Sequence, residues 1–164
     1  MTEQIEVMAY ESTTTLNRIR DASPCEDGWT KLLKHLDKTK ADDEPLQLIT
    51  VLDSNGLDDA LWVLSCAMPD DRLARHFQAW CAEQVLHIFE RKFPDDDRVR
   101  KQIETLRNDS ATNDQRAAAR DAAGAAARTA AGGAAWSAAR AAAWSTARSA
   151  TWAAQEKQLR EMLQ

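Results

Sequence analysis

The chain lacks the patterns on which small catalytic and metal sites are usually built. Its three cysteines, Cys25, Cys66 and Cys81, are odd in number and widely spaced, with no Cys-x-x-Cys pair. That excludes a disulfide framework or a zinc ribbon and fits buried thiols in a reducing compartment. The histidines are His35, His76 and His87, and no HExxH pattern supplies a ligand set. Glu83 and His87, four residues apart, read as a surface pair on one helix face, with His76 about two turns before Glu83. No serine stands in a nucleophile-elbow setting, and the one Gly pair, Gly132-Gly133, lies between Ala-rich segments, so no phosphate-binding loop is expected. Cys81, between Trp80 and Ala82 on an apolar helix face, reads as buried and inert. Met1–Tyr10 has no apolar run, so no secretory leader is expected. A membrane span through the Ala-rich tract would carry Arg140 and Arg148 near its centre. These absences predict a cytoplasmic protein with no catalytic residue, no metal and no cofactor.

What the chain does have is helical punctuation. At 164 residues it is about the size of one domain. Thr13–Asp21 is a short helix candidate, and Ser23-Pro24-Cys25-Glu26 reads as a helix start with Ser23 as the cap. Trp29, Leu32, Leu33 and Leu36 recur at helical spacing, and Lys38–Glu44 is a charged loop. Leu46–Leu52 is a short apolar segment that Pro45 could start as a helix, Asp53-Ser54-Asn55-Gly56 reads as a turn, and Leu57–Met68 as a helix. Arg72–Lys92 is long and amphipathic, with Leu73, Phe77, Trp80, Cys81, Val85, Leu86, Ile88 and Phe89 as its apolar face. Pro94–Asp97 punctuates the chain before a helix over Arg98–Asn108. The acids before Arg72 and Arg98 suit helix N-termini, and Thr112-Asn113-Asp114-Gln115 is a capping-box signal.

From Arg116 the composition changes. Alanine fills 21 of the 40 residues 115–154 and proline none, which predicts two helices, about Gln115–Ala131 and Ala134–Leu163, broken at Gly132-Gly133 and packed as a hairpin. Residues 115–164 carry seven Lys/Arg against three acids, leaving residues 1–114 at −9 within a chain of net charge −5. Attraction between the two parts is the plainest consequence. Every fourth residue of the tract is large or special, including Arg128, Trp136, Arg140, Trp144, Arg148, Trp152 and Arg160. Four residues advance a helix by about 400°, so this row drifts by about 40° per step and spirals round the helix. Three readings of the ladder compete. The Trp side chains could fill gaps beside Ala while Arg stems cover apolar surface and hold acids of the N-terminal part. The same residues could form a protein-binding face. Arg contacts to phosphate with Trp stacking would make a nucleic-acid-binding surface.

Several strings also resemble a known family. Trp80-Cys81-Ala82-Glu83-Gln84-Val85-Leu86-His87-Ile88-Phe89-Glu90, Pro94-Asp95-Asp96-Asp97-Arg98-Val99-Arg100 and Ile103-Glu104-Thr105-Leu106-Arg107, followed by AAAR and AAAW repeats, look like the immunity proteins of bacterial polymorphic-toxin systems and related Ala/Arg/Trp-repeat proteins of phages and prophages. Pro24-Cys25-Glu26-Asp27-Gly28-Trp29 and Ser54-Asn55-Gly56-Leu57-Asp58-Asp59-Ala60-Leu61-Trp62 belong to the same pattern, so the resemblance runs from about residue 23 to the C-terminus. Val99 departs from it, standing where the family usually has Pro after Arg98. The resemblance implies an all-α protein that neutralises something by binding it.

The expected fold is therefore all-α: an N-terminal helical cluster, residues 1–114, packed against a long Ala-rich C-terminal helical hairpin, residues 115–164, as one cooperative domain. The expected function is non-catalytic inhibition of a protein target, a toxin or a host defence enzyme, by an immunity protein or phage-encoded blocker. The expected binding residues are Trp136, Arg140, Trp144, Arg148 and Trp152, with the acidic loops Asp42, Asp43, Glu44, Asp70 and Asp71. Asp96, Asp97, Arg98 and Arg100 are read as a polar network tying the two parts together. The alternatives are a nucleic-acid-binding accessory protein using the Arg/Trp ladder, a hydrolase using His76, Glu83 or His87, and self-association through the Ala-rich faces.

Overall fold

The computed structural model describes residues 10–131 and 151–164, with the side chains of 127–131 left aside. The Gly132-Gly133 break and the ladder residues Trp136, Arg140, Trp144 and Arg148 fall outside the described residues. Within them the protein is all-α: α1 Leu16–Asp21, α2 Glu26–His35, α3 Leu48–Asn55, α4 Leu57–Cys66, α5 Arg72–Lys92, α6 Arg98–Arg107 and α7 Asn113–Ala131, with residues 151–162 helical (α8). The only sheet among them is a two-residue pairing of β1 (Thr13–Thr14) with β2 (Leu46–Gln47), antiparallel, Thr13 opposite Gln47 and Thr14 opposite Leu46. No helix among the described residues is long and apolar enough to cross a membrane. Two compact units are formed, Met1–Leu73 with Arg160–Gln164, and Ala74–Leu159.

In the first unit, local chemistry shifts several expected boundaries. Thr13–Thr14 is extended rather than helical because Thr15 is the cap of α1: its backbone is extended at φ −138° and its hydroxyl accepts from the Arg18 N–H at 3.2 Å. Thr14, 2% exposed, donates its hydroxyl to the Ala67 carbonyl, so this buried polar group is satisfied. Ser23 does not cap α2. It lies at φ +62°, where its N–H reaches back to the Arg20 carbonyl at 2.9 Å and closes α1. The cap of α2 is Cys25, whose Sγ accepts from the Gly28 N–H at 3.4 Å, a distance the long C–S bond allows. Glu26 and Asp27 then occupy the first turn of α2 and Lys34 and His35 the last, each favourable to the helix dipole. Leu46–Gln47 starts extended before α3 begins at Leu48.

Asp53–Asn55 is not a turn but the last turn of α3, and a single residue, Gly56, separates α3 from α4. Gly56 stands at φ 95°, ψ −178°, a conformation open essentially to glycine alone. The core of this unit is built from Leu16 and Ile19 of α1, Leu32 of α2, Leu48, Val51 and Leu52 of α3, and Leu57, Ala60, Val63 and Leu64 of α4, each 5% exposed or less.

In the second unit, Ala79, Leu86 and Ile103 form a buried cluster flanked by Ala82, Val99 and Leu106, which joins α5 to α6. Val85 and Ile88, expected on the apolar face of α5, are instead 56% and 57% exposed. The buried stripe runs through Phe77, Ala79 and Leu86, narrower than the octet of apolar residues in the sequence. The capping box at the start of α7 forms as expected: Thr112 N–H donates to Gln115 Oε1 at 2.8 Å and Gln115 N–H to Thr112 Oγ1 at 3.2 Å. Ala111, Ala123 and Ala126 are buried, which lets α7 lie close along α6.

Leu48 is fully buried at the point where β2 passes into α3. Truncating it in Leu48→Ala leaves a cavity and is expected to cost about 2–5 kcal/mol. Thermal unfolding followed by circular dichroism checks this, and an unchanged melting temperature would remove Leu48 from the core.

Candidate functional site: a tryptophan-lined cavity in the first unit

The first unit contains a cavity of about 270 Å³. Its floor is aliphatic: Ile19 of α1, Leu32 of α2, Val51 of α3 and Val63 of α4. Trp29 of α2 and Trp62 of α4 wall it, both half-buried. Pro24 and Cys25, at the start of α2, and Asp58 and Asp59, in the first turn of α4, supply the rest of its rim. The two segments that resembled the immunity-protein pattern, Pro24–Trp29 and Ser54–Trp62, are thus brought to one place.

A polar interlock fixes this geometry. Asn55 Nδ2 donates to the Gly28 carbonyl at 2.8 Å and to Asp59 Oδ2 at 2.7 Å. The end of α3 is thereby bonded both to α2 and, across the Gly56 corner, to α4. Ser54 Oγ donates to Asn55 Oδ1 at 2.7 Å and so orients the amide. Gly28 is needed for close approach: a Cβ there would lie 2.7 Å from Asp59 Oδ2 and 3.1 Å from Cys25 Sγ.

The residues expected to bind a partner are differently placed. Asp42 and Glu44 are both engaged by Lys38, whose Nζ lies 2.6 Å from a carboxylate oxygen of each. These contacts hold the Asp42 carboxyl below the usual aspartate range and raise the Lys38 ammonium above 10.5. Asp42 also accepts from the Glu44 N–H through Oδ1 and from the Asn17 N–H through its carbonyl, so it shapes the loop. Asp43 is exposed beside them. Asp70 Oδ1 accepts from the Arg72 N–H at 2.9 Å at the start of α5, and Asp71 is exposed next to it. Trp152 is half-buried on α8. Arg160, further along α8, pairs with Asp53 of α3 at 2.5 Å.

In the second unit, Asp96 accepts from Arg98 through both backbone and guanidinium, Asp97 pairs with Lys101 at 2.8 Å, and Arg100 with Glu90. The partners of this quartet lie within residues 90–101, where they brace the start of α6 against the end of α5. Arg98 holds the Asp96 carboxyl below its usual range. Glu83 pairs with Arg107 of α6 rather than with His87, and that guanidinium lowers its carboxyl. Arg75, only 8% exposed, donates to the Leu106 carbonyl at 2.8 Å and to Asp109 Oδ1 at 3.1 Å, and His76 Nε2 lies 3.3 Å from the same oxygen. This knot ties the start of α5 to the end of α6. A buried arginine in the helix was not foreseen: Arg75 lies two residues from both Leu73 and Phe77, on the other side of the helix from them, so the apolar periodicity gives no signal for it.

Cys25 and Cys66 are exposed, contrary to the expectation of buried thiols. Cys25 is exposed because it serves as a cap, and Cys66 because it closes α4, where its thiol lies 3.1 Å from the Trp62 carbonyl. Cys81 is partly buried, and burial pushes its thiol above 9.0, which suppresses thiolate formation. No group of three or more His, Cys, Asp or Glu among the described residues could hold a metal ion.

Residues 61–154 match the family described as Imm-5 like putative immunity protein. The chain belongs to this family. The match takes in α5, α6 and α7 together with Trp62 and Val63 of the cavity, while the rest of the cavity precedes it. No curated protein and no solved structure matches the chain. This immunity-type protein is all-α, as the resemblance implied.

Two outcomes follow from this geometry. Gly28→Ala forces Asp59 off Asn55 and is expected to cost about 1–3 kcal/mol. Indole fluorescence should shift with it, and a variant with wild-type melting temperature and spectrum would show that the contact can relax. The second concerns pH. Asp42, Asp96 and Glu83 have folded pKa values below 3.8, 3.8 and 4.5, so their contributions are present above those values and are lost as pH falls through the lower folded values. Lys38 and Lys101, raised above 10.5, act oppositely and lose theirs in strong alkali. Glu83 and Lys101 are exposed, and Lys38, Asp42 and Asp96 only partly buried, so solvent and salt screen these pairs and each effect is small. Urea midpoints measured from pH 7 down to 3 should fall, and Arg107→Gln should flatten the part of that slope due to Glu83; an identical slope in the variant would remove Glu83 from the account.

Proposed function

We propose that this protein is a non-catalytic, stoichiometric inhibitor that blocks a bacterial toxin or a defence nuclease complex by binding it in the cytoplasm of the bacterial cell. Membership of the immunity-protein family carries the reading. Charge supports it: residues 1–114 carry −9, and an anionic surface is drawn to the basic clefts that nucleases use to hold nucleic acid. The residues that would contact the partner on this reading are Asp43, Asp70 and Asp71, and separately Trp152 and the ladder residues Trp136, Arg140, Trp144 and Arg148. The phage-encoded blocker is the same chemistry in another setting.

A tagged pull-down from the bacterial host, with nuclease treatment as a control, tests the reading. The expected result is one nuclease-resistant protein partner whose activity, once purified, falls linearly to zero at one equivalent of inhibitor. Partners recovered only when nucleic acid is intact would overturn it in favour of nucleic-acid binding through the Arg/Trp ladder. Inhibition that continues below one equivalent would overturn the stoichiometric mechanism.

A further inference from the structure

We infer that the cavity between Trp29 and Trp62 is a socket for one cationic side chain, an arginine guanidinium, presented by the basic protein partner. The inference rests on the protein-binding reading above and names what that partner places against α2 and α4.

Size is the first argument. At about 270 Å³ the cavity lies below the range of about 300–1,000 Å³ typical of sites for drug-sized ligands, and suits a single anchoring side chain. Chemistry is the second. Two indoles line the cavity together with aliphatic side chains, and an indole is the best aromatic partner for a cation. The aliphatic floor at Leu32 and Val51 suits the methylene stem that carries such a cation. Charge is the third. Asp58 and Asp59 stand at the rim, and no Lys, Arg or His is among the lining residues. Asp59 gives Oδ2 to Asn55, and a carboxylate has further acceptor positions on its other oxygen. An acidic side chain would meet repulsion there, and a purely apolar one would desolvate carboxylates without pairing them. Arginine fits better than lysine because a planar guanidinium can stack on an indole while presenting paired donors to a carboxylate.

Asn55 ties α2, α3 and α4 together around the socket, so little ordering is required on binding. The charge contacts lie at the rim and are screened by salt, so binding should weaken as ionic strength rises.

The full chain, labelled with nitrogen-15, is titrated with N-acetyl-arginine methylamide, and separately with its citrulline, lysine and leucine counterparts. The indole N–H signals of Trp29 and Trp62 are assigned from Trp29→Phe and Trp62→Phe. The expected result is a saturable shift of those two signals with the arginine probe. Citrulline, a neutral isostere, should bind at least about ten-fold more weakly, the size of one charge-assisted or cation–π contact. Asp58→Asn should weaken arginine binding while melting at the wild-type temperature. Equal binding of arginine and citrulline, binding of the leucine probe alone, or no shift at Trp29 and Trp62 would each overturn the socket. The proposed function fails separately: a chain that seats the arginine probe but inhibits no protein partner refutes inhibition and leaves the socket standing. Inhibition that is unchanged in Asp58→Asn and Trp62→Phe, with no probe binding in the wild type, refutes the socket and leaves inhibition standing.

Discussion

The first unit depends on one backbone conformation. Gly56, at φ 95° and ψ −178°, is the one residue between α3 and α4 and caps both. That corner puts Asn55 and Asp59 on either side of a single bend, close enough for the Asn55 amide to bond the Asp59 carboxylate and still reach the Gly28 carbonyl of α2. With these three groups bonded, Trp29 and Trp62 both line one cavity, each carried on a helix. A side chain at position 56 would strain the corner, and a side chain at 28 would crowd the interlock. The two glycines thus serve the same three-helix junction by different physical means, one through its dihedral angles and the other through the space it leaves.

Many charges in the described residues are held in ion pairs and in bonds to backbone groups. Lys38 gathers Asp42 and Glu44, Arg107 takes Glu83, Arg98 takes Asp96, and Arg75 closes α6 through Leu106 and Asp109. Acidic runs that looked like candidate binding loops are in part the caps and clamps of short helices. Asp42 and Asp70 illustrate this: each accepts a backbone N–H nearby in the chain, the ordinary work of an aspartate at a turn. The carboxylates at the cavity rim have a different setting, because α4 presents them beside indoles and without a neighbouring cation in the lining.

Legibility in the sequence followed the range of the forces involved. The long amphipathic α5 and the capping box of α7 were readable because their signals are periodic or confined to four residues. The cap of α2 was misplaced by two residues because Ser23 and Cys25 both precede the helix, and only the closing bond from Ser23 to Arg20 decides between them. Asp53–Asn55 read as a turn from composition, yet packing of α3 kept it helical up to Gly56. Val85 and Ile88 show the same limit on α5: periodicity marks an apolar face wider than the one its neighbours cover.

The sequence by itself determined the helix class, the punctuation by Pro, Gly and Asp, the charge asymmetry and the family, since each is a property of composition, local spacing or short strings. Only the tertiary structure decided that Pro24–Trp29 and Ser54–Trp62 meet around one cavity, that Cys25 is a cap, and that Arg75 is a buried clasp. The cavity and the Arg75 clasp depend on contacts between residues roughly 30 positions apart, whose geometry is set by how helices pack around the Gly56 corner and the α5–α6 cluster, while the Cys25 cap turns on the bond by which Ser23 closes α1.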